Sequence, residues 1–219
     1  MRIGGVDDAG RGPVIGPLVI AGVSIEESRL GSLQSLGVKD SKKLTANTRS
    51  KLAEAIPKVA EAWHIVELDA ASLDRVVNRA PKFQRLNLLE AKKMAEVVEA
   101  LRPDIVYVDA SDTDTERFRN NILDDLTYRP KVISEHHADD TYPIVSAASI
   151  LAKVRRDLRI EEIKRDYGDF GSGYAHDPET IRFLGEYYRS NKEFPPIVRR
   201  SWKTLRNIVR SLTQTRLQG

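Results

Sequence analysis

Apolar positions along this chain follow two rhythms. Five short stretches are continuous or alternate in twos: RIGGVD (2–7), PLVIAGVSI (17–25), AWHIVELD (62–69), DIVYVDA (104–110) and KVISEH (131–136). The second is bounded by Pro17 and charged residues, the fourth follows Pro103 and the fifth follows Pro130. Each reads as a strand. Between and after them the period lengthens to that of a helix. The spacing predicts helices over 45–61, with Thr45 as N-cap, over 83–101, where Leu86, Leu89, Met94, Val97, Val98 and Leu101 recur, and over 115–126. It predicts a long one over 142–167, apolar and small in its first half and charged in its second, then 177–189 and 201–213, split by Pro195-Pro196. Three strands come first, as a meander, and two more are separated by helices. That order implies an α/β fold: a mixed five-stranded sheet with helices on its faces.

Composition narrows this. A chain of 219 residues makes one substantial domain with room for a small appendage. With 41% hydrophobic and 31% charged residues it is globular rather than disordered. No apolar stretch approaches the roughly 20 residues that span a bilayer, and no signal peptide opens the chain. The absence of cysteine excludes disulfides and cysteine-based zinc sites. A cytoplasmic location is expected. The net charge of +3 is unevenly spread: residues 151–219 hold 15 Lys and Arg against 9 Asp and Glu, leaving 20 against 23 in the remainder. A basic end suits a polyanionic partner; a solvated helix face accounts for it equally well.

The acids fall where strands end. Asp7 and Asp8 close the first strand, Asp109 closes DIVYVD, and Asp139 follows the fifth strand in SEHHADD, just before a helix. Carboxylates from separate strands can converge there and bind hard cations through oxygen. Two such ions support phosphodiester hydrolysis. No cysteine nucleophile, G-x-S-x-G or Walker A pattern competes with that chemistry. Ordinary turn chemistry explains any one of these aspartates alone. His136 and His137 are neighbours, so at most one would face the acids from a strand.

The ordered blocks GVDDAGRGPVIGPLVIAGV, DSKKL, YVDASD, HHADDTYPIVSAASILAKVRRD and YGDFGSGYAHDP resemble ribonuclease HII, with FGSGY pointing to its archaeal branch. The resemblance implies an RNase H-like catalytic domain over 1–175 and a helical extension over 176–219. It implies an endonuclease that cleaves RNA in RNA/DNA hybrids and nicks duplex DNA 5′ to single embedded ribonucleotides, leaving 3′-hydroxyl and 5′-phosphate ends, as ribonucleotide excision repair requires. Two Mg²⁺ or Mn²⁺ ions would sit on Asp7, Asp8, Asp109 and Asp139, the last at the less tightly held ion. Gly10-Arg11-Gly12 and Tyr174 would read the 2′-hydroxyl at the junction.

One departure stands out: the family carries Asp-Glu where this chain has Asp7-Asp8. The shorter Asp8 draws a carboxylate back by about 1 Å, and Mg²⁺ tolerates such displacement poorly. Two alternatives therefore accompany the nuclease reading: a nucleic-acid-binding module with catalysis weakened by Asp8, or another two-metal nuclease of the same fold. Taken as residues, Gly10-Arg11-Gly12 fits a turn as well as close backbone approach to a sugar, and Tyr174 fits packing. Lys42 in DSKKL is expected on a backbone phosphate, with a capped helix start and exposed lysines as the alternative. Ser149 and Lys153, four apart on one helix, are expected on the DNA strand, although a small-residue helix packed on the sheet accounts for the serine equally well. Arg155, Arg156, Arg159, Lys164, Arg165, Arg199, Arg200, Lys203 and Arg206 are expected to grip the duplex. A monomer is expected. A sliding clamp is a conceivable partner, although no clear clamp-binding motif is visible.

Overall fold

The structure, a computed structural model, describes residues 1–38, 44–77 and 82–217, with side chains for all of these except 82–84 and 211–217. All five expected strands form. β1 (Arg2–Ala9) pairs antiparallel with β2 (Leu18–Glu26), from Arg2 opposite Glu26 to Ala9 opposite Val19. β4 (Ile105–Asp109) runs parallel to β1, from Ile3 opposite Ile105 to Val6 opposite Val108. β5 (Lys131–Glu135) runs parallel to β4, and with β3 (Ala62–Leu68) the sheet order is β3-β2-β1-β4-β5. This is the mixed five-stranded sheet that the hydrophobic rhythm implies.

The helices are α1 (Leu30–Ser35), α2 (Ala46–Val59), α3 (Ala70–Val77), α4 (Lys82–Leu101), α5 (Thr115–Asp124), α6 (Ala138–Thr141), α7 (Pro143–Tyr167), α8 (Pro178–Asn191) and α9 (Lys203–Leu217). Their starts have local causes. Thr45 Oγ1 accepts the amide of Thr48, Asp114 that of Arg117, and Asp177 that of Glu179, ahead of a proline at the first turn of α8. Three short helices, α1, α3 and α6, were not expected from periodicity. Elements of four to eight residues are too short to show a helical repeat. Asp139 accordingly lies within α6 rather than in a loop ahead of α7. Among the described residues no helix is long and apolar enough to cross a membrane.

The chain divides into two compact units. One comprises Met1–Ala9, Val19–Glu67 and Phe83–Arg155; the other comprises Gly10–Leu18, Leu68–Lys82 and Arg156–Gly219. In the first, strand alternation sorts side chains onto two faces. Ile3, Val19, Ala21, Val23 and Ile25 pack with Ile144, Val145, Ala148 and Leu151 of α7. Val6, Ile20, Val106 and Val108 pack with Met94, Val98 and Leu101 of α4 and with Phe118 and Ile122 of α5. In the second unit Val14, Ile15, Ile160, Phe170, Leu184, Phe194 and Val198 form a separate core. Its N-terminal segment is tied by backbone bonds from the amides of Val14 and Ile15 to the Gly173 carbonyl, and from that of Gly16 to the Ile197 carbonyl.

Gly5 sets how closely α7 lies on β1. A Cβ there would sit 2.5 Å from the Ile144 carbonyl carbon and oxygen and 2.6 Å from the Val145 nitrogen, all backbone atoms that cannot turn aside. Gly5→Ala is therefore expected to cost about 3 kcal/mol of folding stability, read from thermal and denaturant unfolding. Gly31→Ala, in the exposed α1 with nothing within 4 Å of its Cβ, is expected to stabilise by about 0.5–1 kcal/mol. Similar midpoints for the two variants would contradict this account.

Candidate metal centre and nucleic-acid interface

The parallel register of β1 and β4 builds the acid site. Pairing runs from Ile3–Ile105 to Val6–Val108, so one further step sets Asp7 level with Asp109. Side chains alternate along a strand. Asp7 therefore shares its face with Gly5, on the side where α7 packs, and Asp109 shares its face with Tyr107, which packs in the same α7-side core. Asp139 comes from α6, at the end of the connection that follows β5. One carboxylate oxygen from each of Asp7, Asp109 and Asp139 lies within 4.8 Å of the other two.

Asp7 and Asp109 are held by hydrogen-bond donors. Asp7 is buried and accepts the amide of Asp8 at 2.7 Å and the hydroxyl of Ser149. Asp109 accepts the amide of Ala138 at 3.2 Å, which ties the end of β4 to the start of α6. Asp139 is buried, beside a cavity of about 300 Å³ lined also by Gln34, Asp140, Thr141, Pro143 and Ser146. Burial pushes the Asp7 carboxyl well above the usual carboxylate range. The negative charges of Asp8 and Asp109 push the same way, and the hydrogen bonds from Ser149 and the Asp8 amide oppose them. All-oxygen donors crowded at this distance suit a hard divalent cation.

Asp8 stands apart. Alternation turns it to the opposite face of β1, where it is half-buried and accepts the Ser111 hydroxyl at 3.1 Å. Asp112, in the same loop as Ser111, is a structural acid. Burial alone would raise its pKa, but bonds from Arg117, the Asp114 amide and Asn87 bring it down to about 2. His136 and His137 lie beyond β5 in an exposed turn, with His137 left-handed at φ 58°. The opposite-face argument for the pair therefore does not apply.

Ser149, expected at a DNA strand, is fully buried and orients Asp7 instead. The small-residue pattern of α7 gave no means of telling a packed serine from an acid's partner. Lys153 follows one turn later, half-buried. Asp40, Ser41, Lys42 and Lys43 lie outside the described residues.

The second unit carries the other expected recognition residues. Gly10 has φ +89°, and a Cβ there would meet the Pro17 carbonyl at 2.6 Å, so only glycine fits without strain. Gly12 is exposed, and Tyr174 packs against it, 3.4 Å from the position a Cβ would take. The guanidinium of Arg156 lies 5.6 Å from the Tyr174 ring centroid, a cation–π distance.

The basic segment is less available than its sequence suggests. Arg155 pairs with Glu67, Arg159 with Glu162, and Lys164 with Asp169 at 3.1 Å. Arg199, expected to face a duplex, is instead fully buried, with its guanidinium bonded to backbone carbonyls. A count of cations cannot separate surface charge from charge committed to the chain's own acceptors.

The buried acids carry a stability prediction. Between the ordinary carboxylate range and the raised pKa of Asp7, folded metal-free protein holds a proton that the unfolded chain has lost. Stability therefore falls as pH rises through that window. Asp7→Asn is expected to raise the melting temperature of the metal-free protein at neutral pH by several degrees and to flatten that slope. Added Mn²⁺ is expected to stabilise the parent protein and not the variant. An unchanged or lower melting temperature for metal-free Asp7→Asn would refute the account.

Comparison with known proteins agrees with this architecture. The family described as Ribonuclease HII matches residues 4–205. Ribonuclease HII of Pyrococcus furiosus is 47% identical over 220 residues, covering all of this chain and 96% of that protein. The crystal structure of ribonuclease H2 from Pyrococcus horikoshii superposes with a TM-score of 0.90 at 44% identity, covering 98% of this chain and all of that one. The PCNA:RNase HII complex of Archaeoglobus fulgidus gives 0.83 at 40% identity, over 94% and 96% of the two chains. A match of this length and depth, on a fold whose parallel strands bring three acids together, settles the lineage: the chain belongs to the ribonuclease HII family.

Proposed function

We propose that this enzyme cleaves the RNA strand of RNA/DNA hybrids and nicks duplex DNA 5′ to a single embedded ribonucleotide, leaving a 3′-hydroxyl and a 5′-phosphate. The observation that carries the reading is the convergence of Asp7, Asp109 and Asp139, with Asp7 only four residues before the glycine-flanked Arg11.

The donor set fits the expected metal. It offers carboxylate oxygens only, on groups whose mutual repulsion a cation relieves. Asp7, Asp109 and Asp139 would hold Mg²⁺ or Mn²⁺, with Asp8 completing the set of four acids when substrate phosphate binds. The bound ions supply water activation and stabilisation of the leaving oxygen. The chain's own groups do the positioning. Ser149 and the Asp8 amide fix the Asp7 carboxylate, and the Ala138 amide fixes Asp109. Gly10 and Gly12 keep the recognition loop slim enough for a sugar to approach backbone, where the 2′-hydroxyl distinguishes RNA from DNA. Arg11 would hold a phosphate with its planar fork, and Tyr174 would stack beside the same junction. Lys42 and Lys153 would meet backbone phosphates. The neighbour determined as a PCNA:RNase HII complex supports a sliding clamp as a partner of this chain as well.

The test is a DNA duplex carrying one ribonucleotide beside an all-DNA duplex, in Mg²⁺ and in Mn²⁺. A single nick 5′ to the ribonucleotide, lost in EDTA and absent from the control, is expected. A cut control would favour a different two-metal nuclease, and tight binding without a cut would favour the binding module. Asp8, on the far face of its strand, generates a sharper expectation. Asp8→Glu restores the missing methylene and is expected to raise kcat, more in Mg²⁺ than in Mn²⁺, by up to about 10²-fold. An unchanged kcat in both metals would show that the shorter acid is no handicap here.

A further inference from the structure

Arg199 presents a puzzle that packing does not answer. Burying a guanidinium is costly unless its donors are met, and an apolar side chain of similar volume would fill the space at less cost. Its partners are specific. Nε donates to the Gly16 carbonyl at 3.0 Å, Nη1 to that of Arg11 at 2.9 Å and Nη2 to that of Gly10 at 2.6 Å. The backbone amide of Arg199 donates to the Val14 carbonyl at 2.9 Å. Three residues on, Trp202 stacks under the guanidinium, 5.0 Å from its centroid, and its Nε1 donates to the Gly12 carbonyl at 3.3 Å. Three successive carbonyls, those of Gly10, Arg11 and Gly12, are thus gripped by two side chains of one short turn. The turn is itself anchored: the Asp74 carboxylate accepts the amides of Arg200 at 2.7 Å and Ser201 at 2.9 Å.

A trans peptide points its carbonyl and the following N–H in opposite directions. Fixing the carbonyls of Gly10 and Arg11 therefore fixes the N–H groups of Arg11 and Gly12 away from the clamp. Gly12 is followed by Pro13, which has no N–H, so the loop ends with two aimed donors.

We infer that Arg199 and Trp202 are positioning residues for ribose recognition: by gripping the carbonyls of residues 10–12 they aim the Arg11 and Gly12 amides at the 2′-hydroxyl side of the substrate. This rests on the reading of Gly10-Arg11-Gly12 as the ribose-sensing loop. Neither side chain needs to touch nucleic acid. A lysine at 199 keeps the charge but lacks the planar fork that serves separate carbonyls at once.

Two measurements test this: the ratio of affinities for a single-ribonucleotide duplex over an all-DNA duplex, without divalent metal, and amide hydrogen exchange across residues 10–12. An unfolded fraction cancels in the ratio. Trp202→Phe keeps the ring stack and removes one N–H; it is expected to lower the ratio about threefold, and Arg199→Lys about tenfold, in line with one and with several lost hydrogen bonds. Exchange at Arg11 and Gly12 is expected to quicken in both while that of β1 stays as it was. Phe194→Leu, in the same core but with no bond to the loop, is expected to lower stability and leave the ratio alone. Should Arg199→Lys not fold, Trp202→Phe carries the test. Gly12→Ala separates the two claims, because its methyl is accommodated beside Tyr174 but obstructs a sugar. If Gly12→Ala lowers the ratio and neither clamp variant does, the inference falls and the loop reading stands. If Gly12→Ala leaves the ratio intact, the loop reading falls. Unaltered exchange at 10–12 in both clamp variants overturns the clamp itself.

Discussion

The register between two parallel strands decides this molecule's chemistry. Pairing Ile3 with Ile105 obliges Asp7 to stand level with Asp109, and side-chain alternation then sends both carboxylates to one face. A slip of one residue would turn every side chain of β1 over, bringing Asp8 inward and Val6 out of its core. The apolar faces prevent that slip, because Val6 and Val108 are buried against α4 and α5 while Ile3 belongs to the α7-side core. The hydrophobic pattern that makes the sheet thus also places its acids.

That placement holds like charges together in a buried setting, which is destabilising by itself. The surrounding structure is arranged to tolerate it. Gly5 lets α7 lie close on β1. Five residues along α7 from Ile144 is roughly 7.5 Å, and two residues along β1 from Gly5 is roughly 6.6 Å, so Ser149 arrives at Asp7. A buried hydroxyl and two backbone amides then orient Asp7 and Asp109, so these two carboxylates are fixed before any cation arrives.

Much of this was legible in the sequence. Strands announced themselves by Pro-bounded apolar runs, and the acids by falling at strand ends. The α7 helix was visible from its long run of small and apolar residues. What stayed hidden has physical reasons. Short helices such as α6 have no period to read. Strand register is a matter of pairing, so Asp8 could not be separated from Asp7 as a neighbour on the other face. Ser149 and Arg199 are polar residues whose partners lie far along the chain, at Asp7 and at residues 10–16. A one-dimensional pattern shows their chemistry but not their direction. For that reason the serine that bonds an acid could be read equally as a nucleic-acid contact or as packing, and the arginine that holds carbonyls was expected on the duplex.

The bonds from Arg199 and Trp202 to residues 10–16 span sequence separations of 183 to 190 residues. Contacts between such distant segments form late, since the chain between them must first be ordered. During synthesis the order is stricter. Asp7, Asp109 and Asp139 have all been made by residue 139, whereas the residues that hold positions 10–12 come sixty residues later, at Arg199 and Trp202. A growing chain therefore owns all three converging acids well before it can set the 10–12 loop. Residues between Gly173 and Trp202, made late, are thus what hold positions 10–16 in place.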